Sequence, residues 1–214
     1  MDRRARLHDA RLYFVADRAG MERALAGALR GGADLFQLRD KHATDDELLA
    51  AARRARGLCR DAGALFIVND RPDLAAACDA DGVHVGQDDV PVARARELVG
   101  AGAIVGLSTH SIDQARAGAT SGADYIAVGP VHATPTKQGR PAIGLEPVRW
   151  AAANVALPWF AIGGLDGATI GAAVRAGARR AVVVRALAQA DDPEAVARAL
   201  RAALGAREAR RGAA

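Results

Sequence analysis

The chain has 214 residues, half of them hydrophobic but only 4% aromatic, enough for a sizeable core built mainly from Ala, Val, Leu and Ile; global disorder is excluded. Lys and Arg number 29 against 25 Asp and Glu, a net charge of +4, and three of those four charges lie within residues 1–10 and 205–214. The nearly neutral body has no basic stripe with interleaved aromatics, which argues against a nucleic-acid partner.

The start, Met-Asp-Arg-Arg-Ala-Arg, is charged without the apolar stretch of a secretory signal. No apolar run approaches the roughly 18 residues of a membrane span. Short apolar runs then recur at 12–16, 35–38, 65–68, 83–85, 104–107, 125–128, 159–162 and 181–184. They are largely unalternating, as parallel strands buried on both faces should be. Helical spacing fills the intervals, as in 45–62 with Leu48, Leu49, Ala52, Ala55 and Leu58 on one face. Cys59 and Cys78 stand in such stretches without disulfide or metal spacing, and read as buried free thiols of a reducing cytoplasm.

Turn signals repeat with the strands. Gly32-Ala33-Asp34, Ala80-Asp81-Gly82, Gly122-Ala123-Asp124 and Gly177-Ala178-Arg179 each precede one, with glycine expected to end the helix in the left-handed conformation. Ser111-Ile112-Asp113-Gln114 fits a capping box, and Asp192-Pro193-Glu194 a cap with a first-turn proline. Eight strand–helix units in 214 residues predict a single (β/α)8 barrel over residues 1–206, with its active site at the C-terminal ends of the strands. An open doubly wound sheet is the alternative. Residues 207–214 are expected to be a disordered Arg-rich tail.

The unusual polar residues follow the strands. Gln37, Arg39 and Lys41 alternate, so one face of an extended segment presents an amide and two cations to a phosphate-bearing ligand, or else to solvent. Asn69 and Asp70 follow the third run, Asp88 and Asp89 the fourth, Ser108 and His110 the fifth. Taken alone, Asp70 or Asp89 reads more simply as a helix cap. As a pair beside Arg39 and Lys41, they suit Mg²⁺ with diphosphate oxygens and waters completing the shell. The longest irregular segment, 129–144, carries Thr134, Thr136 and Lys137, and a loop of that length is usually functional. Gly163-Gly164 would let backbone N–H groups approach an anion. His84 lies inside a strand run and reads as core or supporting residue, and no serine–histidine–acid set joins His110.

Several segments, in this order, resemble the thiamine-phosphate synthase family: Gln-Leu-Arg-Asp-Lys (37–41), Asn-Asp-Arg (69–71), Asp-Gly-Val-His-Val-Gly-Gln-Asp-Asp (81–89), Gly-Leu-Ser-Thr-His-Ser (106–111), Val-Gly-Pro-Val-His-Ala-Thr-Pro-Thr-Lys (128–137) and Ala-Ile-Gly-Gly (161–164). The resemblance implies that hydroxymethylpyrimidine diphosphate and hydroxyethylthiazole phosphate are joined to thiamine phosphate, with diphosphate leaving first. It implies catalytic roles for Arg39, Lys41 and Lys137, and Mg²⁺ on Asp70 and Asp89. Substrate contacts are implied along Gln37, Leu38, Arg39, Asp40 and Lys41, at Asn69 and Ser108, along Thr134, Pro135, Thr136 and Lys137, and at Gly164, Val184 and Arg185. Many relatives place serine where this chain has Arg185.

The resemblance also implies a cytoplasmic enzyme with two small-molecule substrates, and it is compatible with a homo-oligomer. The competing readings are a thiazole tautomerase-like isomerase, which would not need the Asp70–Asp89 pair, and a non-catalytic sensor of phosphorylated ligands. A Schiff-base barrel is disfavoured, because Lys41 and Lys137 stand among polar neighbours.

Overall fold

The computed structural model describes residues 2–133 and 141–205. Eight strands run in chain order: β1 (Leu12–Ala16), β2 (Leu35–Leu38), β3 (Leu65–Asn69), β4 (Gly82–Val85), β5 (Ile104–Thr109), β6 (Tyr125–Val128), β7 (Trp159–Ile162) and β8 (Ala181–Val183). Each pairs with its sequence neighbours in parallel, and β8 pairs with β1, closing the barrel. The helices that alternate with them are α2 (Arg18–Arg30), α3 (Asp45–Asp61), α4 (Pro72–Ala77), α5 (Val92–Val99), α6 (Ile112–Gly118), α7 (Glu146–Asn154), α8 (Ile170–Arg175), a short α9 (Arg185–Ala188) and α10 (Pro193–Gly205), while α1 (Arg3–Asp9) precedes the first strand. Closure, not an open sheet, is the outcome. Residues 207–214 lie outside the described residues, and among those described no helix is long and apolar enough to cross a membrane.

Strand alternation sorts the apolar residues into two cores. The larger, between sheet and helices, takes Phe14, Phe36, Phe66, Val83, Val105 and Ile126. The smaller fills the barrel with Tyr13, Leu35, Leu65, Ile104, Tyr125 and Phe160, and Leu7 of α1 packs into it. The inward positions change character along the axis. They are apolar at the N-terminal ends, whereas Gln37, His84 and Ser108 are buried polar groups nearer the C-terminal ends.

The repeated turns form the floor. Gly32, Gly122 and Gly177 have φ of 96°, 84° and 111°, as expected of glycine leaving a helix. In the fourth turn the left-handed residue is Asp79 at φ 52°, ahead of the expected place. Gly82 is instead required by crowding, since a Cβ there would sit 2.2 Å from the Ile104 carbonyl oxygen.

The aspartates in these turns share one task. Asp34 accepts from the backbone N–H of Leu12 at 3.0 Å, Asp81 from Phe66 at 2.9 Å, and Asp124 from Val105 at 2.7 Å. Each thereby grips the start of the preceding strand. Each also meets arginine: Asp34 pairs with Arg201 of α10, Asp81 with Arg3 at 2.9 Å, and Asp124 with Arg96 and, at 2.7 Å, with Arg4. Arg3 and Arg4 thus pin α1 across the floor.

Caps agree with the sequence in part. Asp192 accepts from Ala195 N at 3.0 Å and opens α10. Ser111 caps α6 through Gln114 N at 3.1 Å, but the Gln114 side chain accepts from His110 N instead of closing the box. The complete box is at α3, where Thr44 and Glu47 bond reciprocally.

Asp124→Ala leaves the Val105 N–H without its acceptor and Arg4 and Arg96 without their carboxylate, with only 12% of the Asp124 side chain exposed. Urea unfolding should show a loss of about 1–3 kcal/mol. Breaking the exposed Arg94–Glu97 pair by Arg94→Ala should cost under about 0.5 kcal/mol. Equal losses would refute the role given to the floor aspartates.

Candidate active site

A cavity of about 630 Å³ opens at the C-terminal ends of the strands. Gln37, Arg39, Asn69 and Ser108 line one side, and Gly164, Val184 and Arg185 the other. These seven expected site residues, delivered by β2, β3, β5, β7 and β8, therefore converge on one space. Thr134, Pro135, Thr136 and Lys137 lie outside the described residues.

Two expected contacts take other roles. Leu38 buries its side chain in the outer core, because alternation turns Gln37 inward and Leu38 outward. Only its backbone remains available to a ligand. Asp40 accepts from Arg18 Nε at 2.9 Å and from His42 N at 3.1 Å. Its burial would raise its pKa, but these bonds, Arg18 foremost, hold the carboxyl below the usual range. Asp40 fastens the loop after β2 to the start of α2. Arg71, the last residue of the Asn-Asp-Arg segment, bridges Asp45 and Asp73 at 2.6 and 2.7 Å, joining α3 to α4.

Asp70 and Asp89 come together at the rim, and neither caps a helix. α4 is preceded by Arg71 and α5 by Pro91, both without a side-chain cap bond. Asp70 N donates to the His84 carbonyl at 2.8 Å, extending the β3–β4 ladder by one residue. The chain then turns left-handed, at φ 58°. Non-glycine residues hold that conformation at a cost, and such strain gathers at functional positions. Asp89 Oδ2 accepts from Gly86 N at 2.8 Å, and a Cβ at Gly86 would lie 2.7 Å from the same oxygen. Lys41 Nζ stands 3.8 Å from Asp70 Oδ2.

Burial first, and then the neighbouring Asp89 carboxyl with which it shares a hydrogen bond, push the Asp70 pKa up. Lys41 offsets this only in part. Among the described residues no group of three or more His, Cys, Asp or Glu side chains could enclose a metal. A carboxylate pair fits an ion that keeps waters and takes further oxygens from a substrate.

The far side of the mouth is braced by backbone. Val131 N donates to the Ile162 carbonyl at 2.8 Å and His132 N to that of Gly163 at 3.1 Å. Gly163 and Gly164 have φ of 107° and 63°, and a Cβ at Gly163 would meet Pro130 Cα at 2.4 Å. Thr169 Oγ1 donates to the Gly164 carbonyl at 2.8 Å, while Asp166 accepts from Thr169 N and Ala168 N, each at 2.9 Å. His110 Nδ1 donates to the Gly129 carbonyl at 2.6 Å. Tyr13 and His84 also line the cavity, and neither stood out in the sequence as a site residue. Inside strand runs they read as core.

Because the raised pKa of Asp70 favours its protonated form in the fold, its stabilising contribution is complete below its ordinary value of 3.8 and is lost as pH rises through the raised value. Asp70→Asn remains neutral and keeps a residue tolerant of positive φ. Without divalent cations, its stability relative to the parent should therefore increase from pH 3 to pH 7 in urea titrations. A difference that does not change with pH would refute the coupling between the two carboxyls.

Comparison with known proteins places the chain in a family. Residues 12–187 match the family described as thiamine monophosphate synthase. The chain is 52% identical over 188 residues to a thiamine-phosphate synthase of Nostoc punctiforme, covering 87% of this chain and 54% of that protein. It is 50% identical to one of Saccharopolyspora erythraea, covering 94% and 96%. The chain thus spans about half the length of the first of these relatives and nearly all of the second. A thiamine phosphate pyrophosphorylase structure from Pyrococcus furiosus superposes with a TM-score of 0.86 at 33% identity, over 94% of this chain and 98% of that one. This chain is a member of the thiamine monophosphate synthase family.

Proposed function

We propose that the chain is a transferase that joins hydroxymethylpyrimidine diphosphate to hydroxyethylthiazole phosphate, giving thiamine phosphate and diphosphate. The observation that carries this reading is the convergence of Gln37, Arg39, Asn69 and Ser108 on one cavity, with the Asp70–Asp89 pair at the same strand ends. The synthase names of the relatives support it.

The chemistry asked of the chain is electrostatic. Departure of diphosphate separates charge, and catalysis must stabilise the leaving anion where it forms. Arg39 and Lys41 face that anion, with Lys137 joining them by the family resemblance. Asn69 and Ser108 hydrogen-bond the pyrimidine substrate, and Gln37 holds it from the buried side. Asp70 and Asp89 would hold Mg²⁺, which when bound neutralises diphosphate oxygens and eases their departure. The thiazole nitrogen then captures the electron-poor pyrimidine methylene.

The thiazole phosphate is assigned to Gly164 and the backbone at Val184 and Arg185, across the cavity, with Thr134, Pro135 and Thr136 from the loop. Arg185 adds a cation where, by the family resemblance, serine is common. The two buried free thiols, Cys59 and Cys78, suit the reducing cytoplasm.

Purified protein with both substrates and Mg²⁺ should yield thiamine phosphate, followed by oxidation to its fluorescent product, and a chelator should abolish it. Arg39→Ala and Asp70→Asn should each lower turnover at least about 100-fold, with unchanged circular dichroism. Absence of product from folded, metal-supplied protein would overturn the proposal. Wild-type turnover by either variant would overturn that residue's role.

A further inference from the structure

Five buried side chains form one hydrogen-bonded line across the barrel below the mouth. Gln37 Nε2 donates to Tyr13 Oη at 2.5 Å, and Tyr13 Oη lies 2.9 Å from Tyr125 Oη. Tyr125 Oη lies 2.9 Å from His84 Nδ1, and His84 Nε2 lies 2.9 Å from Ser108 Oγ. The line runs β2, β1, β6, β4, β5, and its two ends line the cavity.

Packing alone does not require the hydroxyls. Tyr13, Tyr125 and Phe160 meet edge to face at 5.4–5.9 Å, contacts that a phenylalanine would also make. The Tyr125 ring crosses bare backbone, since a Cβ on Gly106 would sit 2.1 Å from its Cζ and 2.4 Å from its Oη. Burial, the largest influence on each, raises the pKa of both tyrosines, so both keep their protons.

One order of protons lets every group on the line donate once. Tyr13 oxygen accepts from Gln37, and in that order the Tyr13 proton goes to Tyr125. The Tyr125 proton goes to the other neighbour of that oxygen, His84 Nδ1. A neutral imidazole with Nδ1 accepting carries its proton on Nε2, and that proton goes to Ser108 Oγ. In this order the Ser108 proton is left off the line, and Ser108 lines the cavity.

We infer that His84 is a positioning residue, held by the tyrosine pair as the Nε2–H tautomer, and that it fixes Ser108 as a hydrogen-bond donor to the bound substrate. The function of that donor rests on the proposed synthase reading. The opposite order, with Nδ1–H and Ser108 donating back to His84, would offer the substrate only lone pairs, which an electron-rich diphosphate or ring nitrogen would repel.

Two measurements test this. In protein labelled with ¹⁵N-histidine, two-bond ¹H–¹⁵N correlations of His84 should show a protonated Nε2 and a bare Nδ1. A proton on Nδ1 would overturn the inference, whatever the activity. In kinetics, Tyr125→Phe should lower kcat/KM about tenfold, the size of one misdirected hydrogen bond. It should add little in a Ser108→Ala background. An equal loss in both backgrounds would mark Tyr125 as merely structural and overturn the coupling. Failure of the unsubstituted protein to turn over would sink the synthase reading, while the tautomer spectrum would still decide the geometry.

Discussion

Three aspartates hold the barrel at its floor. Asp34, Asp81 and Asp124 each stand before an even-numbered strand and bind the first amides of the odd-numbered strand beside it. Backbone donors at strand starts would otherwise be unpaired next to an apolar core, a costly arrangement. The carboxylates answer that need and draw arginines to themselves, two of which bring α1 over the opening. The fourth pair, β7–β8, departs from the pattern. Its turn carries Arg179 at the equivalent place, and Arg180 donates from the same turn to the His8 carbonyl at 2.6 Å.

With one end sealed and apolar, the other can carry polarity that would be unaffordable in the middle. The interior passes from Leu35, Leu65 and Ile104 through the Tyr13–Tyr125–His84 layer to Gln37 and Ser108. The rim then holds two carboxyls that repel one another and one of which sits on a strained residue. Both features destabilise the unliganded fold and favour a cation at that place. The stability that tolerates them resides at the opposite end, in contacts that no substrate touches.

The sequence exposed the barrel because its signals were local: eight apolar runs and recurrent Gly-Ala-Asp turns can be counted without knowing any tertiary contact. It also exposed Gln37, Arg39, Asn69 and Ser108, because polar residues just after a parallel strand have few places to go except the mouth. Residue type says less where geometry overrides it. Asp70 before Arg71-Pro72, taken alone, reads as a cap, whereas its left-handed turn sets it beside Asp89. Asp40 stands among the substrate contacts that the resemblance implies, yet Arg18, 22 positions earlier, pairs with its carboxylate. Tyr13, His84 and Tyr125 were illegible as a unit, since each sits alone in a strand and only closure brings them together. Gly106, a glycine inside a buried strand, was the one local trace of the ring that crosses it.

The floor also imposes an order on assembly. Arg3 reaches across 78 positions to Asp81, Arg4 across 120 to Asp124, and Arg201 back across 167 to Asp34. Helix α1 therefore lacks its second carboxylate partner until the turn before β6 has been synthesised, and the turn before β2 lacks its arginine until α10 has followed. Such long-range closure slows folding, because chain entropy is lost before distant contacts reward it. During that interval α1 presents Leu7 without its core, and the half-made barrel presents two open strand edges, surfaces that chaperones recognise and that the finished molecule no longer displays.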